Sequence, residues 1–127
     1  MPKQIIETPN APKPIGPYNQ AVVSGNMVFV AGQVALEPGT SNLITGDIKK
    51  EAARVMENLK AILAAAGSDF SEVVKTTIFL TDFNHFAAVN EVYGSYFQGN
   101  FPARETVEVV ALPRQANIEI SMIAIKQ

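Results

Sequence analysis

The chain contains no cysteine, which excludes disulfides, thiolate nucleophiles and Cys-based metal sites together. That absence fits a reducing compartment. Histidine is almost as scarce, with His85 standing alone. A metal site would need His85 plus carboxylates, and no ligand spacing supports one. A Ser-His-Asp triad would need it too, yet the chain has no nucleophile elbow. His85 therefore reads as an exposed helical residue. Gly25, Gly32 and Gly39 lack the spacing and the following helix of a phosphate-binding loop. The start, Met1-Pro2-Lys3-Gln4, has no signal-peptide core, and no apolar run approaches the ~20 residues that span a bilayer. A formal charge of −2 supplies no basic field, which argues against a nucleic-acid partner. The expectation is a cytoplasmic protein without membrane or nucleic-acid partners. Any catalysis must come from carboxylate, arginine, tyrosine and backbone groups.

What is present is an ordinary globular composition. Apolar residues make up 47% of the 127 positions and charged residues 17%, a balance that argues against disorder. This length suits one domain, residues 1–127, that buries roughly two-thirds of its unfolded surface. Between Thr8 and Pro17 lie Pro9, Pro12, Pro14 and Gly16, so this segment is a loop. Gln20–Ser24 and Met27–Gly32 are apolar, β-branched runs flanking Gly25-Asn26, the signature of a hairpin. A loop over Glu37 to Gly46 comes next.

The clearest element is the first helix. Asp47 is placed as N-cap, and Ile48, Ala52, Val55, Leu59, Ile62, Leu63 and Ala66 recur at spacings of three and four before Gly67. Val73–Leu80 reads as a strand. A second helix is predicted over Asn84–Phe97, with Phe86, Val89, Asn90, Tyr93 and Phe97 on one face. Arg104–Ala111 and Ile118–Ile125 complete the strands, and Gln4–Thr8 could add one more. The predicted architecture is α+β, a mixed sheet with two amphipathic helices on one face. Val107, Val109, Ile118 and Ile120 cannot all be shielded by two helices, so the other sheet face calls for cover by oligomerisation.

Two charges fall in the C-terminal strands. Glu119, between Ile118 and Ile120, either faces solvent on the open side or is buried with a partner. Arg104 is equally compatible with a surface position and with a structural ion pair.

The residues around these charges carry a resemblance. Phe101-Pro102-Ala103-Arg104, Val107-Glu108-Val109, Ala111-Leu112-Pro113 and Ile118-Glu119-Ile120 closely resemble the C-terminal signature of the RidA (YjgF) family. Gly16-Pro17-Tyr18-Asn19-Gln20-Ala21, Ala31-Gly32-Gln33-Val34 and Asn90-Glu91-Val92-Tyr93 extend the likeness over nearly the whole chain, in the family's order. The resemblance implies a chorismate-mutase-like fold, assembled as a homotrimer with a central barrel and clefts between subunits. It implies hydrolysis of 2-iminopropanoate and 2-iminobutanoate to 2-oxo acids and ammonia, without metal or cofactor.

Residue by residue, the resemblance assigns Arg104 to the substrate carboxylate, for which its planar fork suits bidentate binding. It assigns Glu119 to the attacking water as general base. Tyr18 would pack against or hydrogen-bond the ligand, and Gly32 would allow close backbone approach. Thr106 stands where many relatives carry cysteine and would contribute its main-chain carbonyl; Asn90 would help shape the cleft. Ala31 replaces a common serine. Glu105 replaces a small residue, and strand alternation should point it away from Arg104. Two rival functions stay open: a non-catalytic module that binds 2-oxo acids, and an RNA-directed translation inhibitor.

Overall fold

The computed structural model describes residues 2–127. Six strands form one mixed sheet: β1 (Gln4–Ile6), β2 (Ala21–Ser24), β3 (Met27–Gln33), β4 (Val73–Leu80), β5 (Ala103–Glu108) and β6 (Ile118–Ile125), in the spatial order β1-β2-β3-β6-β4-β5. All pairs are antiparallel except β4 with β5. Gly25, with φ of 62°, turns the predicted hairpin between β2 and β3, a conformation glycine adopts without penalty.

Helix α1 (Ile48–Ala65) starts where the side chain of Asp47 accepts from the Lys49 and Lys50 amides, at 3.0 and 3.4 Å. It ends at Gly67, whose φ is 78°. Its stripe of Val55, Leu59, Ile62 and Leu63 is fully buried against the sheet. Asn58, equally buried, donates to the carbonyls of Val34 and Leu36 and so fastens the chain beyond β3 to the helix.

Helix α2 (Phe86–Gly94) is shorter than its apolar periodicity predicts. Asp82 caps a separate 3-10 turn, Phe83–His85, ahead of it. Past Gly94 the amides of Tyr96 and Phe97 bond three residues back, and the Ser95 hydroxyl donates to the Val92 carbonyl at 2.6 Å. That hydroxyl competes for an acceptor a longer helix would use. Strand β5 likewise stops at Glu108 rather than Ala111, because β4 ends at Leu80 and offers no partner further on. Val110 is left fully exposed.

Both helices cover one sheet face. On β6 the residues beneath them are Ile118, Ile120, Met122 and Ala124, all buried. Of the four residues that two helices could not all shield, Ile118 and Ile120 are the ones in the core, and Val107 is left on the uncovered side. The uncovered side carries Phe29 and Val107, 40% and 39% exposed, with Ile5 and partly buried Ile123. One irregularity marks the centre: Val30 pairs with Met122 but Gln33 with Ile120, so β3 advances three residues while β6 advances two. The extra residue is a bulge at Ala31-Gly32. Among the described residues, no helix is long and apolar enough to cross a membrane.

Candidate active site

Arg104 and Thr106 point to the helix side of the sheet, because their partners on β4 are Thr76 and Ile78, both buried there. The guanidinium of Arg104 donates to Asn90 Oδ1 at 2.8 Å and lies 5.1 Å from the ring centre of Tyr93 and 5.8 Å from that of Phe86. Ring faces attract a cation without neutralising it. Tyr93 is fixed in turn by donating to Thr76 Oγ1 at 3.1 Å, and burial pushes its hydroxyl above the ordinary tyrosine range. Among the described residues Arg104 has no carboxylate partner. It therefore presents a held, uncompensated positive charge to a cavity of about 270 Å³ walled by Phe101 and Pro102.

Glu105 does point away, as alternation requires. It accepts from Thr77 and pairs with Lys75 at 3.2 Å on the opposite face, and these contacts hold its carboxyl below the ordinary range. Arg104 keeps its charge free for another anion. Thr106 lies on the Arg104 side, and its hydroxyl oxygen is buried with no hydrogen-bond partner.

Glu119 lies on the other side of the sheet. It pairs with Phe79, three residues beyond Thr76 on β4, and alternates with buried Ile118 and Ile120. Its carboxylate is pressed against the β3 bulge, and burial raises its pKa above the ordinary 4.5. Gly32 is the residue it touches: a Cβ there would meet Glu119 Cδ at 2.7 Å. The space that the missing side chain leaves is filled by this carboxylate, not left open for a ligand.

Tyr18, 49% exposed, and Ala31 line a cavity of about 360 Å³ with Gly32 and Glu119. The loop that carries Tyr18 is anchored by Gln20. This buried side chain accepts from the Thr8 amide at 2.7 Å and donates to the carbonyls of Thr8 and Pro12 at 3.1 and 2.9 Å.

The six residues singled out from sequence thus fall into two groups. Arg104, Asn90 and Thr106 stand at the helix side, and Tyr18, Gly32 and Glu119 at the open side. No single chain brings Arg104 and Glu119 together. Sequence reasoning missed Tyr93, Gln20 and Arg114, the last of which donates to the Ser41 carbonyl at 3.0 Å on the lining of the cavity beside Glu119. Tyr93 lies on the expected helix face, but nothing in the sequence signals its contact with Arg104. Gln20 belongs to a loop motif, and its burial was the missing fact. Arg114 offered only one signal, a cation after proline in a turn.

A sheet-edge arginine held by aromatic rings and an amide, with a desolvated glutamate across the sheet, is the chemistry this α+β fold sets out. The chain belongs to the RidA (YjgF) family: the family model described as Endoribonuclease L-PSP matches residues 8–126. Protein DfrA of Myxococcus xanthus is 56% identical over 98% of this chain and 97% of its own length. The 2-iminobutanoate/2-iminopropanoate deaminase of Dermatophagoides farinae is 48% identical over 98% of this chain and 97% of its own. The crystal structure of a Rid-family protein of unknown function, YyfA from Yersinia pestis, superposes with a TM-score of 0.95 at 46% identity, covering 98% of this chain and 99% of that one.

Proposed function

We propose that the protein is a cytoplasmic 2-iminobutanoate/2-iminopropanoate deaminase, converting these imino acids and water to 2-oxo acids and ammonia. One observation carries this reading: the cation and the base stand on opposite faces of one sheet. Each opens onto a half-walled cavity. A homotrimer of chorismate-mutase-like form, with its three sheets closed into a barrel, covers the apolar open face and joins the Arg104 half of one chain to the Glu119 half of the next.

Arg104 binds the substrate carboxylate, and Asn90 and Tyr93 hold the fork in place. That contact fixes the imine carbon against an incoming water. Glu119 takes a proton from the water as its oxygen bonds to the carbon of the protonated imine, giving a tetrahedral carbinolamine. Glu119 passes that proton to nitrogen, the C–N bond breaks with its electron pair leaving on ammonia, and the same carboxylate takes the hydroxyl proton as the carbonyl forms, then yields it to the departing ammonia. A carboxyl whose pKa is raised by burial suits both halves of that transfer. A protonated imine is already electrophilic, so the step needs no metal. Thr106 contributes its main-chain carbonyl and Tyr18 closes the ligand's open side.

RNA is the runner-up ligand, since the matching family model is described as an endoribonuclease. The net charge of −2 weighs against it.

A threonine dehydratase generating 2-iminobutanoate with semicarbazide present tests the activity. Wild type should speed loss of the imine, and Arg104→Ala and Glu119→Gln chains should each be inactive. Unfolding and refolding the two variants together should restore about a quarter of wild-type activity, because one cleft in four pairs two intact residues at random mixing. No turnover of any imine by wild type sinks the enzymatic reading. Turnover without recovery on mixing sinks the shared cleft.

A further inference from the structure

We propose that Arg114 is a specificity-determining residue of this cleft, selecting 2-imino acids whose side chain ends in an anion. The proposal rests on the reading of Glu119 as the base. The cavity beside Glu119 measures about 360 Å³, far more than a methyl or ethyl side chain fills. Its walls are apolar at Ile15, Val34, Leu36 and Pro113, and the one cation on its lining is Arg114. A side chain bound in it would have both hydrocarbon and a guanidinium within the lining. An apolar stem with a carboxylate tip matches that combination.

Arg114 is available for such a contact. Its Nη2 donates to the Ser41 carbonyl at 3.0 Å, a neutral acceptor that steadies the side chain without cancelling its charge. Among the described residues it has no carboxylate partner, and a guanidinium has further donors to offer.

The backbone beneath it is strained. Arg114 and Gln115 adopt φ of 61° and 60° in succession, a left-handed conformation that side chains disfavour. Two tight turns hold it, Gln115 N–H to Leu112 and Ala116 N–H to Pro113. Ser41, at the other end of the contact, has φ of 62°. Strain kept on both sides of one hydrogen bond is what a placed side chain demands.

The test compares imines that differ at the side-chain tip. An L-glutamate oxidase supplies 2-iminoglutarate, and an L-amino-acid oxidase supplies the imines of methionine, similar in reach but uncharged, and of alanine. Catalase removes peroxide, and semicarbazide reports the imine that remains. Wild type should show a kcat/KM at least tenfold higher on the glutamate-derived imine than on the methionine-derived one. In Arg114→Met the ratio of glutamate-derived to alanine-derived kcat/KM should fall tenfold or more, and Arg114→Lys should recover part of it. Ratios within one variant are insensitive to partial misfolding. A wild type without preference for the anionic tip, or an Arg114→Met ratio equal to wild type, overturns the proposal while alanine-derived turnover leaves the deaminase reading standing. Absence of turnover on all three imines overturns both.

Discussion

The carboxylate of Glu119 occupies the volume that any side chain at position 32 would need: its Oε2 lies 2.5 Å from where a Cβ on Gly32 would stand. Real Cβ atoms do not come so close, so one of the two residues must move. Gly32 carries no positive φ, which means alanine is acceptable to the backbone and the conflict falls on Glu119 alone. Gly32→Ala should therefore lower kcat for imine hydrolysis at least tenfold, with a stability loss of about 1–2 kcal/mol from overpacking. Turnover together with thermal unfolding checks this. A full loss of folding, or no change in kcat, contradicts it.

The raised pKa of Glu119 makes a second prediction with a definite sign. Burial favours the protonated form, so the folded protein binds more protons than the unfolded chain between the ordinary value of 4.5 and the folded one. Stability contributed this way is present below 4.5 and is lost as pH rises through the folded pKa. Glu119→Gln removes the desolvated charge, so its Tm should exceed that of wild type at pH 7 and converge on it at pH 4. In wild type the acid limb of kcat should lie above the ordinary carboxylate range. Differential scanning calorimetry at the two pH values and a pH–rate profile decide the matter.

Asn90 restrains Arg104 through one hydrogen bond of 2.8 Å. Removing it leaves the ring contacts with Tyr93 and Phe86 in place. Asn90→Ala should raise KM by about five- to tenfold, the equivalent of a single net hydrogen bond, and change kcat much less. Equal losses in both would assign Asn90 to the chemical step instead.

Thr106 buries a hydroxyl that has nothing to bond. Valine has nearly its shape and no polar atom to desolvate. Thr106→Val should be neutral to about 1 kcal/mol stabilising, with the main-chain carbonyl and turnover both retained. A measured destabilisation would reveal a partner for the hydroxyl.

How much of this was legible in the sequence differs from element to element. α1 announced itself, since its apolar spacing, Asp47 and Gly67 are all local signals. The ends of α2 and β5 were misjudged because other groups set them: the Ser95 hydroxyl at one, the length of β4 at the other. Alternation along β6 was readable, but which parity faces the helices depends on tertiary packing, so which of Val107, Val109, Ile118 and Ile120 would be shielded was left undivided. The candidate residues came through resemblance. Their division between two faces did not, because it depends on the register of Thr76 with Arg104 and of Phe79 with Glu119 across a non-sequential strand order.

The bulge in β3 absorbs one surplus residue between two buried positions. Val30 and Gln33 are both buried although they are three positions apart, and regular alternation would place them on opposite faces. Deleting either Ala31 or Gly32 would leave Val30 and Gln33 two positions apart, so regular alternation would keep both buried and remove only the bulge against which the Glu119 carboxylate packs. The extra residue thus serves the glutamate and not the register, and the segment to Leu36, held by Asn58 at two carbonyls, keeps its frame without it. Deletion of Ala31 or Gly32 should therefore leave the fold standing while lowering turnover, whereas deletions elsewhere across 28–36 shift the frame and should unfold it; a deletion scan read by thermal unfolding and by turnover separates the two.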